Sequence, residues 1–448
     1  MMVYILDPSL RDNGGHHFEY DVAIASAARS ASRNVVIFAH KSYAEPSPAG
    51  IEIVPWFSSH IYEDRRSVLA YGVSNFLHFN FSILKDLKRL QKKRRLGPDD
   101  IVIAPTISQN QLFGIVRWAA AFVAAKAPLF VVYLMFSPDL QILEGAAANE
   151  SGADSEKSMF YRFGFECAAA VEATILFFAG GVQLAREYSK LTGMTIKSHP
   201  VPICLDPSKR QNRSDPTTLL FAGVAKREKG FLLLPELAER LSIAHPDHRF
   251  LIHVDFGGLA FTQPDMCSAI SQLMELAGQR ENVVVLTGKA KREEYEALWE
   301  RSSCLVCTYD PKAYARQTSG VVWEAISIGL PILAPAKTFI CREAAEWGAG
   351  HVAYSTWSAA GIAAAYSTFY SAIDELSKAS REASKRFQAY NNKAALEEHM
   401  KLLRKAGPAS HAPRFMHRLK QTRLYLILAW LKFRSRPRAH AGLFASKA

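Results

Sequence analysis

Leu219-Leu220-Phe221-Ala222-Gly223-Val224-Ala225-Lys226-Arg227-Glu228-Lys229-Gly230 is an apolar run of strand length that ends in a glycine, passes three cations and meets a helical pattern at Leu232. A buried strand that gives way so abruptly to a helix is half of a βαβ unit. The alternation repeats downstream. Apolar runs at Arg249 to Val254, Val283 to Leu286, Cys304 to Cys307 and Pro331 to Ala334 are interleaved with helical segments such as Leu232 to Ala244 and Arg292 to Arg301. Continuous apolar strands between helices imply a parallel sheet covered on both faces.

Upstream the same grammar recurs. Met2 to Leu6, Val35 to Phe38, Ile101 to Ala104, Leu129 to Tyr133 and Ala173 to Phe178 are short apolar runs, and helical patterns run from about Phe18 to Arg29 and from Gly181 to about Leu191. Between the two series, His199-Pro200-Val201-Pro202-Ile203, Asp206-Pro207 and the polar stretch 208–216 carry no periodicity, and their prolines mark a crossing between domains. A long helical pattern fills about Ser358 to Tyr390. No repeat of solenoid period is present. A chain of 448 residues also exceeds one ordinary core. The expected class is α/β, with two Rossmann-like parallel-sheet domains facing a cleft: an N-terminal domain at 1–195, a C-terminal domain at 196–375, a helix at 376–400 packing back across the lobes, and a basic amphipathic helical tail at 401–448.

The net charge is +12, and its placement matters more than its size. Residues 401–448 hold twelve Lys or Arg and no Asp or Glu, which leaves 42 basic against 42 acidic side chains in the first 400 residues. A neutral body with a basic end argues against nucleic-acid binding, which spreads cations over a face, and for a surface anchor. The six cysteines are scattered, and Met1 opens no signal-peptide pattern, so a reducing, cytoplasmic setting is expected. Cys304-Leu-Val-Cys307 sits in an apolar strand with no partners at zinc spacing and reads as structural.

Ligands of open parallel sheets bind at the carboxyl ends of strands, where helix N-termini present free N–H groups. Three segments occupy such places. In the first, Lys226, Arg227 and Lys229 follow Gly223; they suit a diphosphate clamp, and equally an ordinary solvated turn. The second runs from Ala315-Arg316-Gln317-Thr318-Ser319-Gly320 through Glu324-Ala325 to Gly329-Leu330-Pro331. Ser319 and Gly320 would open a helix onto phosphate, and Glu324, about a turn further, could accept from a ribose hydroxyl or be a surface helix residue. The third is the loop Asp12-Asn13-Gly14-Gly15-His16-His17 after the first strand, where Gly14 and Gly15 let a substrate approach the backbone and His16, more than His17, could bond a sugar or phosphate, or merely cap a helix.

Over about residues 1–375 the chain resembles the GT-B glycosyltransferases, especially the retaining glycosyltransferase family 4, which includes sucrose and mannosyl transferases. Lys229-Gly230 match that family's Lys-Gly, and Glu324-Ala325 with Gly329-Leu330-Pro331 match its second Glu and the Gly-x-Pro that follows. Two positions depart: Val224 stands where the family has a phosphate-binding Arg, and Arg316 where it has a first Glu. Lys226 or Arg227 could supply the missing cation, and Arg316 could bind phosphate with its planar fork.

The resemblance implies transfer of a sugar from a nucleoside diphosphate sugar to a glycan or lipid-linked acceptor, with retention, no metal and no cofactor beyond that co-substrate; no metal-binding Asp-x-Asp is present. It implies Lys229, Arg316 and His16 as catalytic candidates. Donor binding would fall to Gly223, Lys226, Arg227, Lys229, Gly288, Arg316, Ser319, Gly320 and Glu324, and the acceptor side to Gly14, Gly15 and His16. A nucleotide-sugar epimerase of the same fold and a catalytically silent binding or scaffold protein are the alternatives.

In the tail, Leu424 to Leu431 is an apolar core of eight residues with cations on both sides and Tyr425 and Trp430 within it. It is far short of the ~20 residues a spanning helix needs, and suits a helix lying in an anionic headgroup region through 413–438, or docking on a partner protein. The expected place is the cytoplasm, peripheral on the inner face of the plasma membrane. A second basic stretch from Lys85 to Arg95 sits on a helical pattern in the first domain and could face the same membrane, or simply be solvated.

Overall fold

The computed structural model describes residues 1–61, 71–138, 155–203, 205–209, 217–255, 263–288 and 290–403. The tail surface expected at 413–438 lies outside the described residues. The chain divides into two compact units: Met1–Val201 with the segment that begins at Lys393, and Pro202–Asn392.

The first unit runs β1 (Met2–Leu6), α1 (Gly15–Ser30), β2 (Asn34–His40), β3 (Glu52–Phe57), α2 (Tyr71–Lys93), β4 (Ile101–Ala104), α3 (Gln109–Ala119), β5 (Leu129–Leu134), α4 (Glu156–Ala168), β6 (Ile175–Ala179), α5 (Val182–Thr192) and β7 (Lys197–Ser198). Its sheet is parallel throughout, in the order β3-β2-β1-β4-β5-β6-β7. Val3 lies in register with Val35 on one side and Ile101 on the other, and Ile5, Ile37, Ile103 and Val131 are fully buried. The order reverses between β1 and β4, so the carboxyl ends of these two strands open a crevice.

The second unit runs β8 (Thr218–Val224), α6 (Leu234–Ala244), β9 (Arg249–Asp255), α7 (Pro264–Gln279), β10 (Val283–Thr287), α8 (Arg292–Glu300), β11 (Cys304–Val306), α9 (Gly320–Ile328), β12 (Ile332–Pro335), α10 (Phe339–Trp347), β13 (His351–Tyr354), α11 (Ala359–Ser371) and α12 (Ile373–Tyr390). Its parallel sheet has the order β10-β9-β8-β11-β12-β13, with the reversal between β8 and β11. Phe221, Phe231, Leu237, Ile252, Leu273 and Phe369 belong to one buried cluster that joins the β8–β9 sheet to α6, α7 and α11. Finally α13 (Lys393–Leu403) packs on α1 in the first unit.

Three expectations are corrected. The helical pattern at 358–390 is two helices, because the chain turns at Ala372 (φ −104°, ψ 10°) so that α11 packs on α6 and β13 while α12 packs on α9. The helix expected at 376–400 is likewise divided at Asn391 and Asn392: α12 ends in the second unit, and α13 belongs to the first. The first unit extends to Val201 rather than 195, since Lys197 and Ser198 still pair with Phe178 and Ala179 of β6.

Candidate functional site

The turn after β8 is built against the loop after β11, across the reversal of strand order. Thr308 Oγ1 donates to the Lys229 carbonyl at 2.7 Å, and the Asp310 N–H donates to the Glu228 carbonyl at 2.9 Å. Gly230 has φ +69°, and a Cβ there would lie 1.9 Å from the Thr308 carbonyl oxygen. Only glycine lets the two loops approach this closely. With its backbone so fixed, Lys229 folds its side chain back over Gly223 (φ +127°), where a Cβ would lie 2.5 Å from Nζ. The same ammonium stands 5.6 Å from the centroid of the Tyr309 ring.

Lys229 is partly exposed. Burial, and then the charge of Lys226, hold its pKa down to about 8 against the pull of Cys307, Glu324 and Glu228. Its two neighbouring cations are placed differently. Lys226 is exposed, 3.8 Å from Glu228 Oε1. Arg227 donates through Nε to Gln263 and grips the Asp265 carboxylate at the first turn of α7. Of the three cations, Lys229 is the one laid over the glycine at the strand end.

Beside this turn α9 begins. Ser319 occupies the N-cap in extended conformation without capping the helix, and its hydroxyl lies 3.2 Å from that of Tyr309. Gly320 opens on empty space, with no atom within 4 Å of a Cβ built on it. The helix therefore starts with free N–H groups and room in front of them, which suits an anion. One turn on, Tyr295 of α8 donates its hydroxyl to Glu324 Oε2 at 2.7 Å. Burial, and then the Glu324 charge, drive the Tyr295 pKa well up, so the hydroxyl remains a donor. The Tyr295 ring meets His253 of β9 edge-on at 5.9 Å, and His253 Nε2 is 3.1 Å from the Gly288 carbonyl oxygen. Burial lowers the His253 pKa, and the neutral ring that donates through Nε2 leaves Nδ1 as a buried acceptor with no partner among the described residues. Arg316 follows a short 3-10 turn at Ala313–Ala315 and is half-buried; Arg342 of α10 donates to the adjoining Ala315 carbonyl at 2.8 Å, placing a second guanidinium in that corner.

Gly223, Lys229, Gly288, Ser319, Gly320 and Glu324 thus come together at the carboxyl ends of β8, β10 and β11 and the start of α9. Sequence reasoning did not find His253, Tyr295, Tyr309 or Arg342. Each is contributed by a separate element, and the usable signal was only that His253 and Tyr309 fall at strand ends.

In the first unit the glycine loop forms as an Asx turn, with the Gly14 N–H on Asp12 Oδ1 at 2.8 Å, and Gly15 (φ +78°) faces open space. His16 is exposed, its ring tilted against that of His17 at 4.6 Å. His17 is the built-in partner: its Nδ1 is 2.6 Å from Asp7 Oδ2, and Thr106, following β4, donates to the same oxygen at 3.2 Å. Burial pushes the Asp7 pKa up, but the His17 charge and the hydrogen bonds from His17, Ser9 and Thr106 outweigh it and hold the carboxyl below its usual range. Asp21, a turn after His17 and wholly buried, has its carboxyl pushed well up by burial and then by Asp7. Of the two histidines, His17 is the one held by the fold, against Asp7, and His16 is the exposed one. The spacing of His17, Tyr20, Asp21, Ile24 and Ala28, the buried stripe of α1, was the available signal.

Among the described residues no group of three His, Cys, Asp or Glu side chains is placed to hold a metal ion, and no helix is long and apolar enough to cross a membrane.

The two sheets and their orders define the fold class: this is the GT-B fold of glycosyltransferases. Solved structures share it over nearly the whole chain. Sucrose-phosphate synthase from Thermosynechococcus elongatus is 14% identical, with 90% of this chain and 98% of that one covered at a TM-score of 0.60. A UDP-forming α,α-trehalose-phosphate synthase from Burkholderia vietnamiensis is 12% identical over 91% and 100% of the two chains, TM-score 0.61. HepE from Anabaena, solved in complex with UDP and glucose, is 14% identical over 90% and 99%, TM-score 0.57. No protein-family model matches the chain, and no curated protein matches it in sequence.

Proposed function

We propose that the protein is a glycosyltransferase that moves a sugar from a nucleoside diphosphate sugar to a glycan or lipid-linked acceptor of the kind used in polysaccharide biosynthesis, with retention and without a metal. The observation that carries this reading is the Lys229 ammonium laid over Gly223, beside the open start of α9. When the anomeric carbon–oxygen bond breaks, negative charge gathers on the leaving diphosphate, and a fixed cation with free helix N–H groups stabilises it most where water is excluded. Glu324, oriented by Tyr295, would accept from a ribose hydroxyl. That HepE was solved with UDP and glucose on the same fold supports a nucleotide-sugar donor.

In this scheme the acceptor hydroxyl bonds to the anomeric carbon on the face the diphosphate leaves and passes its proton to the departing phosphate oxygen. The chain's own groups position the partners and offset charge. Gly14, Gly15 and His16 would border the acceptor, with Asp7, His17 and Thr106 beneath them. The protein would work at the cytoplasmic face of a membrane, held there by its basic tail at 413–438, which lies outside the described residues.

The test is a thermal-shift panel of nucleoside diphosphate sugars, followed by a transfer assay with the donor that binds. A donor at a hundred times its Kd adds about 2.7 kcal/mol to stability, a readily visible shift. Absence of any stabilising donor would sink the reading; binding with epimerised sugar, or with no turnover on any acceptor, would move it to the epimerase or the silent scaffold.

A further inference from the structure

Between Lys85 and Arg95 the end of α2 and the two residues that follow it carry seven cations, and the structure sorts them into two sets. Three are tied into the first unit. Arg89 lies 4.2 Å from the centroid of the Trp56 ring, donates to the Trp56 carbonyl and stands 3.4 Å from Asp86. Lys93 covers the same ring at 5.3 Å, and Arg94 faces Glu52 at 3.6 Å. The other four, Lys85, Lys88, Lys92 and Arg95, are exposed and make no ion pair or hydrogen bond among the described residues.

Lys85, Lys88 and Lys92 follow one another at three and four residues on α2, so they share one stripe, which continues back through Phe81, 47% exposed and flanked by the half-buried Leu84; Arg95 lies two residues past the end of the helix. From Phe81 to Lys92 it spans roughly 16 Å at the ~1.5 Å rise of a helix. Like charges at these spacings repel, so the fold gains nothing from keeping them uncompensated. The acid of this segment, Asp86, is buried on another face.

We propose that this stripe docks the first unit on the surface of an anionic lipid bilayer, with Phe81 entering the boundary between headgroups and acyl chains and Lys85, Lys88, Lys92 and Arg95 lying over lipid phosphates. A row of exposed cations along one helix stripe matches a plane of negative charge and does not converge on a single small anion. An exposed aromatic at one end suits an interface that is apolar on its far side. A polynucleotide would be gripped by cations on facing walls, and the body of the protein is otherwise balanced, 42 basic against 42 acidic groups in its first 400 residues. The proposal rests on the described residues alone, independent of the tail and of the enzymatic reading.

The experiment uses the full-length chain carrying Phe81→Trp and vesicles of phosphatidylcholine with or without phosphatidylglycerol. The emission difference against the parent chain is expected to shift to the blue only when phosphatidylglycerol is present, and to be quenched by lipid brominated in the acyl chains. Adding Lys85→Gln, Lys88→Gln and Lys92→Gln should raise the lipid concentration for half-maximal shift by roughly a hundredfold, about fivefold for each lysine. Matched substitutions on α12, Lys378→Gln, Arg381→Gln and Lys385→Gln, should leave it unchanged. No blue shift, a shift indifferent to the α2 substitutions, or an equal loss from the α12 set would each overturn the proposal. So would loss of polynucleotide binding by the α2 variant with its vesicle response intact. Unchanged circular dichroism and melting of the variants excludes misfolding as the cause.

Discussion

Lys229 and Gly223 occupy one another's space: the ammonium of the lysine rests where any side chain at the glycine would stand, with Nζ 2.5 Å from the position of a Cβ. The five-residue turn between them closes on itself because Gly230 lets it slide under Thr308. A cation held like this, with no carboxylate at ion-pair distance among the described residues, is held at an energetic cost in the free protein.

Replacing Lys229 by Met should therefore separate function from stability. Donor-dependent kcat/KM is expected to fall by about 10² to 10³, the usual loss when one fixed group facing developing charge is removed. The melting temperature should hold or rise, because an uncompensated charge is removed and an apolar chain of similar length fills its place. Steady-state kinetics with thermal melts on the same preparation measure both; a variant that keeps its kcat/KM removes Lys229 from the site.

The Lys229 amine also sets a pH dependence with opposite signs for binding and folding. Burial and Lys226 bring its pKa from 10.5 down to about 8, so in the free protein the cation is lost as pH rises through 8 and donor affinity should weaken there. Between about 8 and 10.5 the unfolded chain binds more protons than the folded one, so this group's contribution to stability rises with pH over the same window. Lys226→Gln removes the repelling neighbour and should carry the fall in affinity to higher pH. Donor Kd measured by calorimetry across the window, in both proteins, decides it; coincident profiles would mean that Lys226 does not act on Lys229.

Two glycines give contrasting substitutions. Gly230→Ala forces a Cβ to 1.9 Å from the Thr308 carbonyl at φ +69°, and is expected to destabilise the second unit by at least about 2 kcal/mol, lowering its melting transition by roughly 4–8 °C. Gly320→Ala meets no atom within 4 Å and replaces a poor helix former in the first turn of α9, so stability should be unchanged or slightly higher. Donor affinity should nevertheless drop several-fold, since the new methyl group stands in front of the helix N–H groups. Equal donor binding by Gly320→Ala and the parent would show that phosphate does not approach that turn.

The alternation of strand and helix was legible because central parallel strands are apolar on both faces and announce themselves as continuous runs, as Val35 to Phe38 and Leu129 to Tyr133 do. The strands that reading missed are β3, β7 and β13, all at sheet edges. β3 carries Pro55 and alternates in burial, β7 is two residues long, and β13 is mostly half-exposed, so none shows a buried run. The helix breaks at Ala372 and Asn391 were invisible because neither residue forbids a helix; packing on different neighbours turns the chain there. The contiguous parts of the site, Gly223 with Lys229 and Ser319 through Glu324, could be read along the chain. Tyr295 on Glu324 and His17 on Asp7 could not, since only the sheet brings those pairs together.

The first unit holds a histidine pair whose titration should govern its acid stability. The rings of His199 and Tyr133 stack at 4.0 Å, and His399, brought by α13, places Nε2 3.1 Å from the Tyr133 hydroxyl oxygen. Burial, and then the neighbouring His399, hold His199 down to about 3, and burial holds His399 down to about 4. Both rings are neutral in the folded unit, whereas the unfolded chain protonates them near 6.5. Below that value the unfolded chain binds up to two more protons, so stability is complete above pH 6.5 and falls steadily as pH drops towards 4. At about 1.4 kcal/mol per proton and pH unit, the loss near pH 4 reaches a few kcal/mol. His399→Leu removes one of the two sites and keeps an apolar group under α13, so the pair's share of the slope of unfolding free energy against pH should drop from about two protons to about one. Urea unfolding at intervals between about pH 5 and pH 7, where few carboxylates titrate, reads the slope directly. An identical slope in the variant would show that α13 does not keep His399 dry.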